Sequence, residues 1–79
     1  MNLYVLFDRM VMQGGYHMPI SSKDMERIIL ADGWVFKNQV GSHRHYIHPA
    51  KSGKVTIPFH AKDLTRKTEL SILKQAGLK

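Results

Sequence analysis

Between Gly33 and His60 apolar side chains alternate with polar ones, and two short turn signals cut the run into three. Trp34, Phe36 and Val40 alternate with Val35, Lys37 and Gln39 before Gly41-Ser42. Residues 43–48 follow and stop at Pro49. Lys51-Ser52-Gly53-Lys54 is a second turn, after which Val55, Ile57 and Phe59 share one face with Thr56 and Pro58 opposite. A period of two belongs to β-strands, and turns this short join antiparallel neighbours. The pattern predicts strands over about 34–40, 43–48 and 54–59, in a sheet covered on one face only. Pro58 cannot donate to a ladder, so it marks an edge or a strand's end.

Helical signals flank this run. Ser21 is placed to cap, with Asp24 three residues on, and Met25, Ile28 and Ile29 make one apolar face. Ala31 and Asp32 close that helix and Gly33 stops it, which predicts a helix over about 22–32. Thr65 is the N-cap of a second helix over about 66–76. Leu70, Leu73 and Ala76 are its predicted buried stripe, with Ile72 alongside and Gly77 as the stop. Helix, three antiparallel strands and helix give an α+β sandwich with both helices on one sheet face.

Such a chain has little to do chemistry with except histidine and cations. Its 79 residues make one domain with a small core, and cysteine is absent, which fits a reducing cytoplasm. No apolar run approaches the ~18 residues that span a bilayer. Twelve Lys and Arg against six Asp and Glu give +6 and a pI near 9.9, a balance that calls for a polyanionic partner, nucleic acid or an acidic protein.

Three of the five histidines fall within residues 41–49, along with Arg44 and Tyr46. Histidine is suited to proton transfer near neutral pH, with an unperturbed pKa of about 6.5. On a strand His43, His45 and Ile47 share one face and Arg44, Tyr46 and His48 the other. If Tyr46 packs inward, His43 and His45 lie on the open face; packing Ile47 inward is the alternative. The plain reading of His43 is a histidine that caps the Gly-Ser turn. His43 and His45 form a two-ligand zinc pattern, but a third ligand would have to come from His60 or His17, and no carboxylate is near in sequence. No metal and no cofactor is therefore expected, still less a two-metal nuclease, which needs clustered carboxylates, because Asp24, Glu26 and Asp32 sit together only in the first helix. Lys62, Arg66 and Lys67 gather at the start of the second helix, where a helix N-terminus already favours phosphate. Lys51 and Lys54 lie on the last turn, and all five are candidates to track a phosphate backbone.

Gly33-Trp34, Gly41-Ser42-His43, Val55-Thr56-Ile57-Pro58 and Ile72-Leu73-Lys74-Gln75-Ala76-Gly77 occur in an order that resembles the HicA toxins, over residues 18–79. The resemblance implies an α-β-β-β-α, double-stranded-RNA-binding-domain-like fold and an mRNA interferase held in check by a HicB antitoxin that blocks its active site. It puts catalysis on His43, with Ser42 beside it in the RNA-binding set. On that footing His43 is the general base on the substrate's own 2′-hydroxyl. His45 or His60 protonates the leaving oxygen, and Lys37 or Arg44 neutralises the phosphorane. A non-catalytic RNA-binding module is the competing reading, because fold alone does not fix function.

Residues 1–17 lie outside the resemblance. They add no net charge, since Asp8 and Arg9 cancel, and the first helix is complete without them. Gln13 to Met18 can be back-translated as CAA-GGA-GGT-TAT-CAT-ATG, a ribosome-binding purine run ahead of a start codon. The expectation is that translation of the natural toxin starts at Met18; the competing reading is a genuine N-terminal strand or helix built on residues 3–7. A chain begun at Met18 should fold and arrest growth as well as the full chain, and the gene should show the purine run. An unfolded or inert product would make the segment part of the domain.

Overall fold

A computed structural model describes residues 19–79. The expectations for residues 1–17 lie outside the described residues. The order is α1 (Ser22–Ala31), β1 (Val35–Val40), β2 (His43–Ile47), β3 (Val55–Pro58) and α2 (Arg66–Gln75). The strands form one antiparallel sheet in the order β1-β2-β3. This is the α-β-β-β-α architecture expected from the sequence.

Local chemistry sets the helix ends. Ser21 Oγ accepts from the Asp24 N–H at 3.1 Å, and Thr65 Oγ1 accepts from the Thr68 N–H at 3.2 Å. These bonds satisfy donors that a helix start leaves unpaired. Past each C-cap stands a glycine with positive φ, Gly33 at 104° and Gly77 at 72°. Met25 and Ile29 of α1 pack with Ile72, Leu73 and Ala76 on Tyr46, Val55 and Ile57 of the sheet. Trp34, just ahead of β1, is buried with them. Both helices therefore cover one face of the sheet. In α2 the buried stripe also takes in Glu69, whereas Leu70 is only half-buried. Glu69 is turned inward because its carboxylate accepts the Ile20 N–H at 3.3 Å.

β1 departs from the expected alternation. Phe36 pairs with Tyr46 but Asn38 pairs with His45, so Lys37 is the extra residue of a β-bulge. The bulge puts Phe36 and Val40 on opposite faces, where an unbroken period of two would have put them together. All six residues of β1 are exposed.

The two ends of the sandwich differ. At one end Ser22 Oγ donates to the Pro58 carbonyl at 2.7 Å, and the Leu64 N–H donates to the Ile20 carbonyl at 2.8 Å. Both helices start here, beside the first residues of β2. At the other end Lys51 Nζ donates to the Asp32 carboxylate at 2.6 Å and to the Ala76 carbonyl at 3.0 Å. It ties together the C-terminal ends of both helices, where a cation is favoured.

His48 closes that second end. Its Nε2–H donates to the Asp32 carbonyl at 2.8 Å, and Nδ1 accepts from Ala50 and Lys51 N–H at 2.9 and 3.2 Å. Its ring stands edge-on to Trp34, with centroids 5.2 Å apart. A Cβ on Gly33 would lie 2.7 Å from His48 Nε2, and the ring, held at both nitrogens, is not free to move away. Gly33→Ala should therefore cost about 2–4 kcal/mol, from the positive φ and the broken His48 bond together. A urea midpoint unchanged by this substitution would show that the His48 corner does not support the fold.

Candidate functional site

The sheet's open face is built in cross-strand rows. Val40, His43 and Pro58 form the first row, and Asn38, His45 and Thr56 the second. Val35 and Ile47 begin the third. Tyr46 is fully buried and Ile47 is 45% exposed, so β2 turns its tyrosine to the helices. Of the two packings open to the sequence, this is the one that leaves His43 and His45 outward. Val35, Val40 and Ile47 are exposed on this face, alongside the polar residues of the second row.

His43 stands at the start of β2, exposed, beside the sandwich end where both helices begin. The Phe59 N–H donates to the Ser42 carbonyl at 2.6 Å, which ties the Gly-Ser turn to the end of β3. The direct neighbours of His43 across the ladder, Val40 and Pro58, offer no polar side-chain group. His45 Nδ1 lies 2.9 Å from Thr56 Oγ1. His60 Nδ1–H donates to the Lys62 carbonyl at 2.8 Å, in the exposed segment after β3. His48 belongs to the other end and uses both nitrogens there. Among the described residues, His43 is the histidine whose ring is not engaged in an internal hydrogen bond.

Arg44 faces the other way. Its side chain lies on the helix-covered face, with the guanidinium 4.5 Å from the Phe36 ring centroid and 4.7 Å from that of Phe59. Nη1 is 3.4 Å from Glu26 Oε2, the oxygen that also accepts from the Tyr46 hydroxyl at 2.6 Å. Burial first, then the hydrogen bond and charge of Glu26, push the Tyr46 phenol well above its usual range, partly offset by Arg44. Arg44 thus packs on the face opposite His43. Strand alternation alone separates residues 43 and 44 in this way.

The cations divide between the two ends. Lys62, Arg66 and Lys67 lie around the start of α2, at the His43 end. Lys23, in the first turn of α1 and exposed, lies at that end too and was not among the sequence candidates. Lys54 flanks Val55, which pairs with Tyr46, about 10 Å along the strands from His43. Lys51 is the brace between helix ends and not a loose surface cation. Lys37, in the bulge between the Tyr46 and His45 pairings, is exposed beside the second row. Among the described residues no group of three or more His, Cys, Asp or Glu is arranged to hold a metal ion. No helix among them is long and apolar enough to cross a membrane.

The model of the HicA toxins of bacterial toxin–antitoxin systems matches residues 22–78. The chain belongs to the HicA toxin family. Its fold is the α+β, double-stranded-RNA-binding-domain-like one of these toxins. It is similar to a chain of a solved structure described as a toxin–antitoxin complex from Streptococcus pneumoniae, with 32% identity and a TM-score of 0.64. The similarity spans 75% of this chain and 98% of the other. A search of curated protein sequences returns no significant match. As in the other HicA-like features of the sequence, the Gly-Ser-His tripeptide falls inside the matched region, at the start of β2.

Proposed function

We propose that this HicA-family chain is the toxin of a cytoplasmic toxin–antitoxin pair and a metal-independent endoribonuclease, with residues 18–79 as the working unit. The observation that carries the reading is His43: an exposed imidazole, unengaged among the described residues, at the cation-rich end of the open sheet face. His43 takes the proton from a ribose 2′-hydroxyl, and the oxygen attacks the adjacent phosphorus in line. The 5′-oxygen leaves with a proton from a general acid. The products are a 2′,3′-cyclic phosphate and a free 5′-hydroxyl. Ser42 lines the turn, and Lys62, Arg66, Lys67 and Lys23 bind flanking phosphates, helped by two helix N-termini that favour anions.

His43→Ala should lower RNA cleavage by about 10²-fold or more and abolish growth arrest, with RNA binding changed little. DNA should remain uncut and EDTA should have no effect. Should His43→Ala still arrest growth while loss of Lys62 and Lys67 does not, the chain is an RNA-binding module without catalysis.

The partner in this reading is a HicB antitoxin that covers His43. Support comes from the family and from the similar chain, whose structure is described as a toxin–antitoxin complex. With +6 on the toxin, the antitoxin should bring carboxylates to the His43 end. Their association rate should fall steeply between about 0.05 and 0.5 M salt, as screening shortens the reach of the charges. A rate insensitive to salt would rule out steering by charge.

A further inference from the structure

Proton transfer to the departing 5′-oxygen needs a second group, because attack and departure occur on opposite sides of the phosphorus and one imidazole cannot reach both. We propose that His45 is that general acid and that Thr56 is its positioning residue. The assignment rests on His43 being the base.

Three observations select His45. It stands two residues after His43 on the same strand, so both side chains leave the same face with Cα atoms roughly 7 Å apart. A phosphodiester laid along β2 between them meets one imidazole on the 2′ side and the other on the 5′ side. The ring is oriented: Nδ1 is 2.9 Å from Thr56 Oγ1, the residue opposite in the second row. A threonine hydroxyl can accept from Nδ1–H whether the imidazole is charged or neutral, so the proton exchanged with substrate is the one on Nε2. The row holds no carboxylate, since Asn38 and Thr56 are neutral and residues 33–62 contain no Asp or Glu; the charge beside it is Lys37, in the bulge. A carboxylate against the ring would hold its proton back; here none is in the strands.

The other described histidines lack this placement. His48 is on the helix-covered face with both nitrogens committed. His60 lies beyond the end of β3 and turns Nδ1 to the Lys62 carbonyl. In the step itself, the His45 Nε2–H bond breaks as the P–O5′ bond breaks, and the proton goes to the leaving oxygen. His43 finishes protonated and His45 neutral, and solvent restores both.

The test compares a short RNA that the full chain cleaves with the same RNA carrying sulfur in place of the 5′-bridging oxygen at the cleaved bond. A thiolate leaves without a proton, so it needs no acid. His45→Ala and His45→Gln should cleave the oxygen RNA about 10²-fold more slowly and the sulfur RNA within roughly 3-fold of the unaltered protein. Thr56→Val should show the same split, about 10-fold on oxygen only, and Thr56→Ser should restore it. His43→Ala should fail on both substrates. If both His45 variants, folded by circular dichroism, slow the two substrates equally or neither, His45 is not the acid. If His43→Ala cleaves both RNAs at full rate, it is the ribonuclease reading beneath the proposal that is wrong.

Discussion

The hydrogen bond from the Tyr46 hydroxyl to Glu26, at 2.6 Å, is the contact on which the working face depends. It holds β2 with its tyrosine against α1. A one-residue slip would turn Tyr46 outward and bury the histidines, because strand side chains alternate strictly between faces. The bond joins two half-covered polar groups to a fully buried ring, and a hydrogen bond to a charged group contributes about 1.5–3 kcal/mol. Arg44 completes the arrangement from the same strand. Its guanidinium sits between Phe36 and Phe59, so one cation links Glu26 of α1 to the rims of β1 and β3. The residue between the two outward histidines is therefore an anchor, and that anchor sets the direction of its neighbours.

The two ends of the sandwich do different work for a simple electrostatic reason. Both helices begin at the His43 end, where their dipoles favour anions, and both finish at the opposite end, where Lys51 satisfies a carboxylate and a carbonyl together. The sheet edges are just as unequal. On β3 the Thr56 N–H donates to Gln75 Oε1 at 3.0 Å and the Pro58 carbonyl accepts from Ser22, so side chains of both helices close that edge. The β1 edge is exposed, and its bulge and Lys37 are devices that discourage pairing with another chain. The open face keeps three exposed aliphatic residues, Val35, Val40 and Ile47, within an otherwise basic surface.

Much of the fold was legible because its signals are local. Ser21 and Thr65 as caps, Gly33 and Gly77 as stops, and the turns around Gly41 and Gly53 each act over a few residues of backbone. The bulge at Lys37 was not legible: nothing in Val35-Phe36-Lys37-Asn38 marks an extra residue, and it appears only when β1 is laid against β2. The stripe of α2 was misjudged by one residue because Glu69, polar by type, is drawn inward by the Ile20 N–H. At the candidate site, His43 stood out by its Gly-Ser turn and its resemblance, whereas Thr56 carried no signal until cross-strand register put it beside His45.

By itself, then, the sequence determined the order of elements, their ends, the excess of positive charge and the clustering of histidines on one strand. Backbone sterics, capping and composition are properties of neighbours along the chain. Tertiary structure alone decided which face of β2 points to water, that Thr56 meets His45, and that Lys51 braces the helices. Those outcomes depend on register and burial between residues far apart in sequence, and periodicity leaves the choice between two faces open until the helices cover one of them.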